Sequence, residues 1–180
     1  AGAYVEALRV FDAKGPYRLV GYGFGGLVAF EMARQLLDAN ADVALLVLLA
    51  AEPPRGGLGG FLAGGWKKSL PALFGKKSDD SGNGRKRTPD SPVAIANHEA
   101  VRKFSPAPAQ LLAHVFTPTL NFPPYRTVQS GWEACCQEVL VYQVPCTGPD
   151  MMTEPAVESL AQAISKLARA EELFADLEEE

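Results

Sequence analysis

An α/β layer fold with a mostly parallel sheet is what this 180-residue chain predicts, on three observations. Residues 17–49 run from a short apolar stretch through a glycine-rich turn and a helical pattern to a second apolar stretch, which is a βαβ unit. Such units close right-handed almost without exception. Two further apolar runs of strand length, 111–116 and 139–144, alternate with helix-compatible segments. The composition, 47% hydrophobic and 21% charged, is that of a globular domain with a core.

Along the chain, residues 2–10 repeat apolar positions at helical spacing, and Gly15-Pro16 stops them. Tyr17 to Tyr22 then reads as a buried strand. A helix is expected to start at Gly25 or Gly26 and run through Leu37, with Asn40 at the left-handed position that ends such helices. Val43 to Leu49 is a continuous Val/Leu run, the pattern of a parallel strand covered on both faces. Val93 to Phe104 predicts a helix, with Ser91 as cap and Pro92 in the first turn. Leu111 to Phe116 predicts a strand, Thr127 to Cys136 a helix packed by Trp132, and Val139 to Val144 another strand. The last helix is expected from about Glu154 to Leu177, with Val157, Leu160, Ile164, Leu167 and Phe174 facing inward.

Charge and apolar pattern exclude some classes of function. The net charge of −4 argues against a general nucleic-acid binder. The longest uncharged apolar run, Val43 to Ala51, has nine residues and is too short to span a bilayer. No secretory signal is legible, and three cysteines, two of them adjacent (Cys135, Cys136), favour a reducing compartment, so a cytoplasmic location is expected. The chain opens Ala-Gly-Ala without Met, and a piece of a larger polypeptide is expected. Residues 55–87 hold eight Lys/Arg against Asp79 and Asp80, a local net of +6 that leaves −10 for the remainder. Nine of the 17 glycines fall in the same stretch, which is expected to be mobile because it buries too little apolar surface to offset its ordering entropy.

The most informative segment is GPYRLVGYGFGGLVAFEMARQLL, Gly15 to Leu37. It resembles the nucleophile elbow of α/β-hydrolase thioesterases, the type that ends polyketide, fatty-acid and nonribosomal-peptide assembly lines. There a serine stands on a sharp strand-to-helix turn between small residues, and the next backbone N–H faces the developing oxyanion. Gly21, Phe24, Gly25 and Gly26 fit that frame, but Gly23 occupies the serine position. Ala50, after Val47-Leu48-Leu49, stands where the family carries its aspartate. In the frame Val144-Pro145-Cys146-Thr147-Gly148 followed by Glu154-Pro155, Gly148 takes the histidine position. Ile95 to Pro106 looks like the family's post-lid helix.

The resemblance therefore implies a three-layer α/β-hydrolase-like fold whose first strands would precede Ala1. It divides into an elbow half (residues 1–52), a flexible basic Gly-rich lid insertion (53–92) and a C-terminal half (93–180). It implies a pseudoenzyme with no competent catalytic residue, the Phe24 N–H as its surviving oxyanion donor, and neither cofactor nor metal. Two other readings remain beside it. The domain is a non-catalytic module that holds an acyl carrier protein or a phosphopantetheine-linked acyl chain, the basic stretch attracting the acidic carrier. Alternatively, Gly21-x-Gly23-x-x-Gly26, with Glu52 after the next strand, is a Rossmann-type dinucleotide fingerprint.

Other chemistry-bearing residues read as structural. Cys146 lies near the histidine position, but a thiolate needs a neighbouring base or cation. His114 sits inside an apolar strand and is expected as a core histidine, and His98 as a surface residue of the post-lid helix. Cys135 and Cys136 are expected to be packed, and Asp150 is an acid without a base.

Overall fold

The computed structural model describes residues 1–54 and 92–178. Most of the basic segment expected to be a lid, with Ser91, lies outside the described residues. Helix α1 (Gly2–Phe11) leads into β1 (Tyr17–Tyr22), α2 (Phe24–Asp38) and β2 (Val43–Leu49). After the undescribed segment come α3 (Pro92–Lys103), β3 (Ala109–Leu120), α4 (Tyr125–Glu133), β4 (Cys136–Thr147), a 3-10 turn (Pro149–Met152) and α5 (Ala156–Glu178).

The four strands form one sheet in the order β1-β2-β3-β4, every neighbouring pair parallel. Parallel strands need helical crossovers, and the helices cover both faces, giving three layers. Side chains of one strand parity (Leu19, Leu46, Leu48, Ala113, Val115) pack with α2 and α4 around Phe30, Leu36 and Trp132, all three fully buried. The other parity (Leu45, Val47, Leu49, Phe116) packs with α5 through Leu160, Ile164 and Leu167. Val157, also expected to face inward, is half-buried, and the side chain of Phe174 lies outside the described residues.

The β1 and β2 boundaries are those expected, and Asn40 takes φ 54°, ending α2 in the left-handed conformation. Other boundaries differ. Helix α2 starts at Phe24, ahead of the expected Gly25 or Gly26, because Gly23 is its N-cap and its carbonyl already accepts the Gly26 N–H at 3.0 Å. Helix α4 ends at Glu133 and Cys136 opens β4, where a helix through Cys136 was expected. The cause is sheet pairing: the Cys135 carbonyl accepts the Ala109 N–H at 2.8 Å, drawing the chain into the ladder. Both cysteines are buried. Strands β3 and β4 are each 12 residues long, well beyond the apolar runs that announced them. They pair from Ala109 with Cys136 to Leu120 with Thr147, and Pro118 is tolerated beside a register shift.

Candidate functional site

Because all four strands are parallel, their carboxyl ends lie along one edge of the sheet, where open α/β sheets place their ligand crevice. Gly23 follows β1, Ala50 follows β2 and Gly148 follows β4, so the fold brings the three sequence-selected positions to that edge. All three are buried.

The turn after β1 is built by glycines with separate tasks. A Cβ on Gly21 would overlap the Gly25 carbonyl and lie 2.6 Å from Gly26 Cα, so its absence lets the strand and the first turn of α2 pack in contact. A Cβ on Gly26 would lie 2.5 Å from Ala51 Cβ, so the helix also crosses the end of β2 closely. Gly23 adopts φ 54°, ψ −121°, a combination that side-chain-bearing residues avoid. Its N–H donates to the Leu49 carbonyl at 2.8 Å, and the Ala50 N–H donates to Phe116 at 2.9 Å. Each strand end is thereby tied to its neighbour. Ala50 itself sits at φ 46°, a left-handed conformation that asparagine and aspartate accept more readily than alanine.

Tyr22 joins the two ends of the sheet. Its hydroxyl donates to the Gly148 carbonyl at 2.9 Å. The turn at Gly148 is shaped by its own polar groups: Thr147 Oγ1 donates to Asp150 Oδ2 at 2.5 Å, and Thr153 Oγ1 donates to the Asp150 carbonyl at 2.9 Å. Burial, together with the charges of Cys146 and Asp150, raises the Tyr22 pKa above its ordinary value, so the phenol stays protonated and can donate. Cys146 is buried, and both burial and the Asp150 carboxylate raise its thiol pKa, the opposite of what a nucleophile requires.

His114 is on β3, 4% exposed, with Nδ1 3.1 Å from the Tyr142 hydroxyl and the two rings stacked at 5.9 Å. It lies within the ladder, opposite Val47 on β2 and Leu140 on β4. His98 is on α3. Among the described residues, no group of three or more His, Cys, Asp or Glu is placed to hold a metal ion. None of their helices is long and apolar enough to cross a membrane.

Among the described residues, the edge offers backbone groups and apolar surface beside the Tyr22 hydroxyl and the Thr147–Asp150 pair. As the first residue of α2, Phe24 has an N–H without an intrahelical acceptor. Beside it a cavity of about 160 Å³ lies between α2 and α3, lined by Phe24, Leu27, Val28, Ala100, Val101 and Phe104 together with Ala1 and Glu31. The Glu31 carboxylate accepts two hydrogen bonds from Arg34, at 2.9 and 2.8 Å, which hold its pKa below the ordinary value. Sequence reasoning had singled out neither Tyr22 nor this cavity. The tyrosine bonds a partner 126 residues away, and three residues of the cavity wall, Ala100, Val101 and Phe104, come from beyond the undescribed segment.

Residues 1–59 match the sequence family described as the thioesterase domain. The vanchrobactin synthetase VabF of Vibrio anguillarum is 22% identical over 91% of this chain. The non-reducing polyketide synthase CTB1 of Cercospora nicotianae is 39% identical over 31% of the chain, and a dimodular nonribosomal peptide synthase of Bacillus subtilis is 43% identical over 29%. The chain spans only 6%, 3% and 2% of the lengths of these relatives. Among solved structures, the NocB thioesterase domain from the nocardicin cluster matches 93% of this chain and 71% of its own, with TM-score 0.65 and 24% identity. The surfactin-cyclizing thioesterase domain SrfTE matches 92% of this chain and 73% of its own, with TM-score 0.65 and 16% identity. The fold is that of these thioesterase domains, and residues 1–59 are similar in sequence to the thioesterase domain found in polyketide synthases and nonribosomal peptide synthetases.

Proposed function

We propose that this thioesterase-like domain is catalytically inactive, with Gly23, Ala50 and Gly148 standing at its nucleophile, acid and base positions. The observation that carries the reading is Gly23: it caps α2 directly after β1, in a sharp turn with φ 54°, and presents no side chain. A second observation supports it. Ala50 holds a left-handed backbone that suits aspartate better than alanine, as expected where a carboxylate once belonged. Acyl transfer from a thioester needs a nucleophile, a base to take its proton and a group to orient that base. Of that machinery the edge keeps the Phe24 N–H, an oxyanion donor with nothing to stabilise.

Close packing at Gly21 and Gly26 is common to an elbow and a dinucleotide fingerprint; the similarity of residues 1–59 to the thioesterase domain supports the elbow reading. The apolar cavity beside Phe24 supports a retained role in holding an acyl chain, delivered on a carrier protein within a larger polypeptide. The test is direct. Incubated with acyl thioesters the protein gives no turnover above background, and a serine-directed fluorophosphonate, the reagent class seen covalently bound to NocB, leaves it unlabelled. Gly23→Ser alone remains inactive, since base and orienting acid are also absent. Labelling of the unaltered protein, or thioester hydrolysis that Cys146→Ala abolishes, overturns the reading.

A further inference from the structure

We infer that the Tyr22 hydroxyl is a tether that holds the turn between β4 and α5 down on the elbow, keeping the crevice at the sheet edge closed with no catalytic side chain in it. Its significance rests on the reading of Gly23 and Gly148 given above; the tether itself stands on geometry. Tyr22 immediately precedes Gly23 on the edge strand β1, and its hydroxyl donates to Gly148 just past the opposite edge strand β4. The bond therefore spans the ends of β2 and β3. Both residues whose positions it links, Gly23 and Gly148, are buried.

The accepting carbonyl is a strategic one. It also accepts the Met151 N–H at 3.2 Å, the bond that closes the first turn of the 3-10 segment, and Met151 is fully buried against the α5 face. Thr147, Asp150 and Thr153 bond to one another, which sets the shape of the turn but not its place on the sheet. The phenol supplies the place. Its ring packs in the same apolar cluster as Cys146 and Met151, so the direction of the O–H is set by packing.

Tyr22→Phe keeps the ring and removes only the donor. Hydrogen exchange followed by mass spectrometry or NMR should show the Met151 and Thr153 amides exchanging roughly two- to tenfold faster, the opening expected from one lost hydrogen bond, with α2 and β3 unchanged. Trp132→Phe, which removes another long-range side-chain bond (Trp132 Nε1 to the Ala51 carbonyl, 3.2 Å), should leave those two amides as they were. Unchanged exchange at Met151 and Thr153 in Tyr22→Phe overturns the tether. So does loosening that spreads through β3 or unfolds the chain, because the hydroxyl would then be a general support of the core. None of these readouts involves hydrolysis. A protein that turned over thioesters and still loosened only at this turn would sink the inactive reading and keep the tether.

Discussion

The face of the sheet covered by α1, α2 and α4 is packed almost wholly with hydrocarbon: Phe30, Leu36, Val128 and Trp132 are fully buried, and Phe30 and Trp132 meet at 5.5 Å. The face covered by α5 is smaller and carries polar atoms among its apolar ones: Tyr22, His114, Tyr142 and Cys146, with the Gly148 turn at its edge. Apolar burial contributes most of the favourable folding term, whereas polar groups under cover contribute geometry when bonded and cost stability when not. The first face thus holds the fold together, and the second holds the shape of the crevice. On the inactive reading proposed above, that division accounts for a sheet edge that keeps its shape without a catalytic side chain.

Truncating Trp132 is the strongest way to break that division. Trp132→Ala removes the largest fully buried side chain among the described residues and its bond to the Ala51 carbonyl, and should cost about 3–5 kcal/mol of unfolding free energy in a urea titration. Cys146→Ala on the other face should cost about 1 kcal/mol or less. Equal costs would mean that the two faces share the load. The glycines extend the contrast. Gly21→Ala forces a Cβ into the backbone of α2 and should destabilise by about 3 kcal/mol. Gly148 has φ −53° and ψ −53°, and a Cβ there would meet only Pro118 Cγ at 4.0 Å. Gly148→Ala should therefore stabilise by about 0.4–1 kcal/mol, through the lost freedom of the unfolded chain. A destabilised Gly148→Ala would mean that the turn needs glycine for more than space.

The same contrast explains what was legible in the sequence. β2 could be bounded to the residue because a buried parallel strand writes itself as a Val/Leu run, whereas β1, with Arg18 and Val20 exposed, is bounded by Gly15-Pro16 before it and by Gly23 after it. The edge positions Gly23, Ala50 and Gly148 could be named because each follows a strand at a fixed point in a family pattern. Cys136 was read into the wrong element because Cys135-Cys136 suits a helix end as well as a strand start, and only the Ala109 to Cys135 ladder bond decides between them. The length of β3 was hidden by Pro118, which ordinarily ends a strand. Tyr22 was invisible as a tether because its partner is a backbone carbonyl, to which any residue type contributes equally. Nor does an alanine announce that it will be held at φ 46°.

The smallest expected effect probes the polar side of the comparison through His114. Burial lowers its pKa below the ordinary 6.5, and the Glu138 carboxylate opposes this more weakly. Nδ1 is in contact with the Tyr142 hydroxyl, and Nε2 is buried with no hydrogen-bond partner among the described residues. The ring is therefore neutral in the folded protein at neutral pH, and a second proton would leave a buried N–H without an acceptor. The unfolded chain takes up the proton first as the pH falls below 6.5, so this group's contribution is fully present above that value. It is lost progressively as the pH drops from there towards the lower folded pKa, beyond which no further loss comes from this residue. Urea midpoints should accordingly fall between about pH 7.5 and 5.5, a range lying above the ordinary carboxylate titrations. His114→Gln should flatten that slope while leaving the Met151 and Thr153 amides as protected as before, because His114 lies within the sheet and the tether is at its edge. A slope that survived the substitution would place the proton-sensitive group elsewhere. A slope of the opposite sign would mean that the folded protein binds the proton more tightly than the unfolded chain, which an imidazole buried in this way does not do.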